Sequence, residues 1–343
     1  MNRCSKLKKI SLFFDENFAK PIQHHMEMNS ERLETLLARI LQLRIAVLGD
    51  FALDFYFDIQ TSTGEFSIET TKEVHLASQP RAYLGGAGNV AKNLAILGAQ
   101  VSAFGVRGND LFGREMAHQM AALGIDATNI MQIAIDTPTY TKPMSGIVEQ
   151  NRIDFGTRSP NFQDQTSELI KALEAKNFDW FIINEQFGRP LLQAQHIENL
   201  YLKNALADLR SLGSHAKHLP LKVNEAEFIH IHQKPATKEN IQSWAATRKQ
   251  AVLVTLGEKG IIYASQDEFY HQPAFQVKGP IDTVGAGDMV VAGFSAARAA
   301  GASVQEACEF ASLAVHLSIH QIGETGSASP DAIRQLYHGH SIA

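Results

Sequence analysis

The sequence predicts an α/β protein: a mainly parallel central sheet, helices on both faces, and a small β-lid. Three observations carry this reading. Short apolar runs of strand length, such as Arg44–Gly49 (RIAVLG), alternate along the chain with amphipathic stretches of helical period, and such alternation implies parallel strands joined by helical crossovers. Glycine clusters stand where strands run into helices, at residues 85–88 and 285–287. Finally, residues 55–83 show no helical period but contain short extended pieces, Val74-His75-Leu76-Ala77 and Arg81-Ala82-Tyr83-Leu84. A structureless loop of that length is uncommon in a compact domain, so a lid is expected within about residues 55–84.

Residues 1–29 carry mixed charge and no clean period. They are expected to form a poorly ordered extension, with Met28 a candidate alternative start, ahead of one domain at 30–343. In residues 30–41, Leu33, Leu36, Leu37, Ile40 and Leu41 recur at helical spacing, with Ser30 as candidate cap and Glu34 close behind. The strand at 44–49 follows. A helix at 85–97 opens on glycines, 100–106 is the next strand, and a helix at 112–123 is ended by Gly124. Further strands are expected at 180–183, 219–223, 251–255 and 261–264, with helices at 191–212 and 241–248 between them. The chain closes on helices at 288–300, 304–320 and 331–338.

The 343 residues are 45% hydrophobic and 20% charged, enough apolar side chains for a substantial core. A formal charge of −5 gives no electrostatic reason to bind nucleic acid or an anionic membrane. Cys4 and Cys308 are too few for a disulfide framework, and neither lies in a C-x-x-C pair. The apolar run behind Lys8-Lys9 stops at Asp15, short of a signal-peptide core. A soluble, cytoplasmic protein is expected.

The run that carries chemistry is Asp282-Thr283-Val284-Gly285-Ala286-Gly287-Asp288, directly ahead of an apolar helix. Free N–H groups in a helix's first turn attract anions, and glycines let a phosphate approach the backbone. An acid in the same place repels phosphate. It can cap the helix, as Asp often does, or it can take a proton from a hydroxyl attacking phosphorus.

The whole heptad resembles the D-T-x-G-A-G-D signature of the ribokinase/PfkB carbohydrate-kinase superfamily. The resemblance implies a ribokinase-like three-layer αβα sandwich and an ATP-dependent carbohydrate kinase. It makes Asp288 the base, and Gly285, Ala286 and Gly287 the anion hole for the γ-phosphate. Asp282 and Thr283 would order the loop, in some members around a monovalent cation such as K+. Asp54, near the end of Gly49-Asp50…Leu53-Asp54, stands where the family's acid binds sugar hydroxyls. Gly85-Gly86-Ala87-Gly88-Asn89-Val90-Ala91 resembles the G-G-x-x-N-x-A signature, which places Gly85, Gly86 and Asn89 on the sugar. Asn224-Glu225-Ala226-Glu227 matches N-x-x-E, in which Asn224 and Glu227 serve the phosphates and Glu227 reaches Mg2+ through water. Residues 255–260, TLGEKG, resemble a turn facing the nucleotide and contribute Thr255, Gly257 and Gly260.

Within the superfamily, the helix before RIAVLGD and the stretch LGGAGNVAKNLAILGA look most like bacterial heptose-phosphate kinases. That likeness points to a sugar or sugar phosphate as acceptor, a heptose phosphate in particular, with Arg152 and Lys142 as its cationic partners. The Asp and Lys expected around residues 184–189 are missing, and Ser312 replaces an Asn often found near the adenine. Family lids often pair across a homodimer, so a homodimer is expected. Two other readings stand beside the kinase. One is a sugar or nucleotide sensor without turnover. The other is an NAD-dependent dehydrogenase, since residues 86–91 also fit G-x-G-x-x-A with Asp110 downstream.

Overall fold

The computed structural model describes residues 27–60, 62–146, 148–156 and 162–341, without the side chains of the last two. Helix α1 (Ser30–Ile40) leads into β1 (Arg44–Gly49), which passes almost directly into β2 (Phe51–Gln60) and back through β3 (Leu76–Gly86). Then come α2 (Ala87–Ile96), β4 (Gln100–Arg107), α3 (Leu111–Ala122), β5 (Asp126–Gln132), β6 (Thr139–Ser145) and β7 (Val148–Glu149). The second half runs α4 (Gln163–Glu174), β8 (Trp180–Glu185), α5 (Ala194–Glu198), β9 (Ala205–Leu209), β10 (Leu221–Asn224), α6 (Glu225–His232), α7 (Lys238–Arg248), β11 (Val252–Thr255), β12 (Ile261–Ala264) and β13 (Phe269–Gln272). It ends with α8 (Ala286–Ala299), α9 (Val304–Ser318) and α10 (Pro330–Ser341).

Among the described residues the main sheet has nine strands in the order β13-β12-β11-β10-β9-β8-β1-β4-β5. Pairing is parallel from β11 to β5, and β12 and β13 add an antiparallel edge. Its inner strands are buried on both faces, while the edge strands β5 and β13 are partly exposed. One core lies between the sheet and α1, α2, α3, α8, α9 and α10, the other between the sheet and α4 to α7. This is the three-layer αβα sandwich that the sequence leads one to expect.

The lid is a separate sheet in the order β3-β2-β6-β7. It is wider than the expected 55–84 segment, because β6 joins β2 in parallel, pairing Asp54 with Tyr140 and Tyr56 with Lys142. Asp50 fastens its root. Its carboxylate accepts the amides of Gln186, Phe187 and Leu191 at 2.8, 2.9 and 2.8 Å, and its carbonyl accepts Ala87 N at 2.9 Å. Burial still pushes this carboxyl up, to about 7.

Two expectations are corrected. The helix expected at 191–212 is the short α5 followed by strand β9. Leucines at 191, 192, 200, 202, 206, 209 and 212 imitate a helical period. Residues 205–209, however, are buried on both faces between β8 and β10, where a strand shows no alternation. The cap of α1 is Asn29, whose side chain accepts Arg32 N at 2.8 Å, rather than Ser30. Residues 1–26 lie outside the described residues. Met28 is fully buried, and its amide donates to Glu309.

Candidate active site

The site forms at the carboxyl ends of the parallel strands, where α/β sheets of this kind bind ligands. Its floor comes from three neighbours, β8, β9 and β10, whose register sets Asn184 beside Asp208 and Asp208 beside Lys222. Ile182 and Leu206, two residues earlier on β8 and β9, belong to the core under α8, so Asn184 and Asp208 face the same side. Lys222 Nζ lies 3.1 Å from Asp208 Oδ1, and the two side chains are only 6% and 3% exposed. Burial works against the Lys222 charge, but Asp208, Glu227 and Asp288 outweigh it and raise its pKa. Asp208 Oδ2 and both amide atoms of Asn184 find no partner among the described residues.

Above this floor begins α8. Gly285 is its N-cap at φ +79°, and a Cβ there would lie 2.7 Å from Asn89 Nδ2, so only glycine fits both the backbone and the approach. A Cβ on Gly287 would lie 3.2 Å from Lys222 Nζ, which places that ammonium against the helix's first turn. Ala286 N turns back to Thr283 O at 3.1 Å. Asp282 pins the loop by accepting Val284 N at 3.0 Å and Gly323 N at 3.1 Å. Asp288, half-buried in the first turn of α8, accepts Asn89 Nδ2 at 2.7 Å. Burial pushes its pKa to about 7; Asn89 and Lys222 pull it down, while Asp208 and Asp54 push it further up.

Helix α2 supplies the facing wall. Asn89 and Lys92, one turn apart, both look at the loop: Lys92 Nζ donates to the Thr325 carbonyl and, at 2.9 Å, to its hydroxyl. Burial lowers the Lys92 pKa to about 8 despite Glu324, Asp288 and Asp54. Asn89 Oδ1 is buried without a partner among the described residues.

The lid forms the opposite wall. Asp54 Oδ1 lies 3.1 Å from Lys142 Nζ, which also donates to Tyr56 OH at 2.9 Å. Gly85 leaves room for Asp54, whose Oδ2 would stand 3.2 Å from a Cβ there, and Gly86 turns the chain from β3 into α2 at φ +56°. Arg152 pairs with Asp154 at 3.0 Å and lies over the Tyr140 ring at 5.0 Å. Lys142 and Arg152 thus reach the same face of the lid, each already holding an acid. Burial pushes Tyr140 to about 12, with Asp50 adding to it and Arg210 and Arg152 opposing.

At the far end Asn224 and Glu227 form a capping box on α6. Asn224 Oδ1 accepts Glu227 N, and Glu227 Oε2 accepts Asn224 N, both at 2.8 Å. Burial raises the Glu227 pKa, with Lys222 opposing. Thr255 ends β11 beside Asn224. Gly257 faces open space, whereas Gly260 is demanded by crowding against the Gln272 carbonyl, 2.0 Å from where its Cβ would be. Among the described residues no group of three His, Cys, Asp or Glu could hold a metal. Magnesium keeps most of its own water and is commonly bound with substrate phosphates, so one nearby acid such as Glu227 would suit it.

Sequence reading missed Asp208, Lys222, Lys92, Thr325 and Arg210. Asp208 was hidden by the false helix. Residues 184–189 carry neither the Asp nor the Lys expected there, and a buried Asp–Lys pair lies one strand further on, between β9 and β10. A lysine between Leu221 and Val223 inside an apolar strand was the available signal. The dinucleotide reading fails, because the strand leading into the glycines is β3 of the lid and Asp110 is spent on Gly113 N and Thr137 N at 2.7 and 2.6 Å.

The pattern of the pfkB family of carbohydrate kinases matches residues 43–332, and the chain belongs to that family. That family is one of carbohydrate phosphotransferases. The bifunctional protein HldE of Helicobacter pylori is 30% identical over 300 residues, covering 82% of this chain and 64% of its own length. The HldE of Geotalea uraniireducens is 26% identical over 340 residues, covering 91% and 67%. This chain therefore spans 64% of the Helicobacter relative. Among solved structures, Thermotoga maritima ribokinase matches with a TM-score of 0.68 at 20% identity, covering 86% of this chain and 99% of its own. Escherichia coli phosphofructokinase-2 in complex with potassium matches at 0.67 and 18%, covering 87% and 99%. At these identities the likeness is one of fold. No helix among the described residues is long and apolar enough to cross a membrane.

Proposed function

We propose that Asp288 is the base that lets a hydroxyl of a sugar phosphate take the γ-phosphate of ATP. The observation that carries this is the placement of one carboxylate, near pKa 7, at a helix N-terminus that also meets Lys222. A base titrating near the working pH combines a deprotonated population with real proton affinity. Asn89 orients the carboxylate, and Asp54 accepts hydroxyl hydrogen bonds on the sugar. Lys222 and the amides of Gly285 and Gly287 at the start of α8 face the charge that gathers on the transferred group, the Ala286 amide being spent on the Thr283 carbonyl. Lys222 is held charged by Asp208. Asn224 and Glu227 order the phosphate end, with Thr255, Gly257 and Gly260 shaping the nucleotide's side. Magnesium, when bound with the nucleotide, would supply further positive charge there.

The acceptor's own phosphate would meet Arg152 and Lys142 on the lid, with Arg210, which like Arg152 acts on Tyr140, as a further cation. A heptose phosphate agrees with the likeness of residues 84–99 to heptose-phosphate kinases. Asp282, which pins the anion-hole loop, is where a potassium ion would act; one structural relative holds potassium. A homodimer through the lid would cover its exposed apolar side chains, of which Ile68 is 93% exposed. A cytoplasmic setting agrees with Cys308 being a buried free thiol. The test is ADP release measured by a coupled assay on a panel of sugars and sugar phosphates, heptose phosphates included. Turnover confined to phosphorylated sugars supports the proposal, and equal use of the unphosphorylated sugar overturns it.

A further inference from the structure

At the opposite end of the sheet from Asp288, a cavity of about 200 Å³ opens where β8, β9, β10 and β11 begin. Well-packed interiors leave few voids larger than a water molecule, and a dry 150 Å³ cavity is already enough to hold benzene. The apolar part of its wall is Phe294 stacked on Tyr263, with ring centroids 6.1 Å apart, together with Trp180. Its polar part includes two cations and the Asn204 amide. Lys203 and Arg298 stand in the lining, and the indole Nε1 of Trp180 is buried with no hydrogen-bond partner among the described residues. An unpaired buried donor is costly, of the order of 1–3 kcal/mol, and unusual in a native structure. Among the described residues neither Lys203 nor Arg298 forms an ion pair, and Arg298 donates from one guanidinium nitrogen to the Ala302 carbonyl just beyond its own helix.

From an aromatic wall and two cations in one cavity, we infer a second binding site, for a small carboxylate with an apolar ring or branched body. The apolar body lies against Phe294 and Tyr263, and the carboxylate accepts from the cations. The site is separate from the kinase centre: Arg298 stands ten residues beyond Asp288 on α8, about 15 Å along the helix axis.

The indole N–H resonances report on it directly, since the chain has two tryptophans and Trp244→Phe assigns them. The full chain is titrated with 4-methylbenzoate and, separately, with uncharged 4-methylbenzyl alcohol. The expected result is a saturable shift of the Trp180 indole with Kd below about 1 mM, and binding of the alcohol at least tenfold weaker, about 1.4 kcal/mol. Arg298→Gln should weaken the acid by tenfold or more and leave the alcohol unchanged. Ala251→Phe, which fills the mouth, should abolish both shifts while the Trp244 resonance stays in place. An unresponsive Trp180 resonance in the wild type, equal binding of acid and alcohol, or indifference to Arg298→Gln would each overturn the assignment.

Discussion

Asn89 Nδ2 stands 2.7 Å from Asp288 Oδ2, joining the first turn of α2 to the first turn of α8. The bond ties the two glycine-rich helix starts together, 199 residues apart in sequence. It also favours the charged form of a carboxylate that burial drives the other way, to a pKa of about 7. A base must be deprotonated, so activity should fall as pH drops through 7. Removing the amide donor raises the pKa further, so Asn89→Ala should move the acidic limb of the kcat profile to higher pH by about one unit, the scale of a hydrogen bond to a charged group. An unmoved limb would show that another group titrates.

The Lys222–Asp208 pair predicts a stability effect of a particular shape. Lys222→Met leaves Asp208 buried and unpaired and should destabilise by about 3–5 kcal/mol in urea unfolding. The double variant Lys222→Met, Asp208→Leu should recover most of that loss, but none of the activity. A double variant no more stable than the single would show that the lysine matters to the fold for other reasons.

Gly285 and Gly257 both have positive φ, +79° and +59°, yet they differ in what surrounds them. Gly257→Ala meets nothing within 4 Å and should cost only backbone strain, about 1–2 kcal/mol. Gly285→Ala drives a methyl into Asn89 and should lower kcat about 10²-fold, the scale of a small displacement in a positioned site. Equal effects of the two on kcat would remove the case for Asn89 as the group that orients Asp288.

The comparison of sequence with structure follows the same division between local and distant. Strand β1 was legible residue for residue, and α8 and α9 to within about two residues, because RIAVLG and the long apolar helices carry their own signals. Asp288, Asn89 and the glycine loops were legible because each lies within a short run. Strand β9 was not, since a strand buried on both faces loses its alternation. Lost with it was the Asp208–Lys222 pair, which exists only through the register of β9 with β10. Half of the lid, β6 and β7, was invisible for the same reason: its pairing with β2 spans some eighty residues.

Glu227 holds the Asn224 amide at 2.8 Å in the capping box, and a glutamine retains that acceptor. Glu227→Gln should therefore keep α6 intact, raise the magnesium concentration for half-maximal activity about tenfold, and leave the preference among sugars unchanged. A changed sugar preference with an unchanged magnesium requirement would put this motif at the wrong end of the site.

The most direct test concerns Asp288 itself. Asp288→Asn keeps the size of the side chain and removes its basicity. With saturating ATP, magnesium and the best sugar phosphate, kcat should fall by about 10²–10⁴, the usual contribution of a general base, while ATP binding measured by calorimetry stays within about threefold. A variant that turns over at near wild-type rate would contradict the assignment of Asp288 as the base.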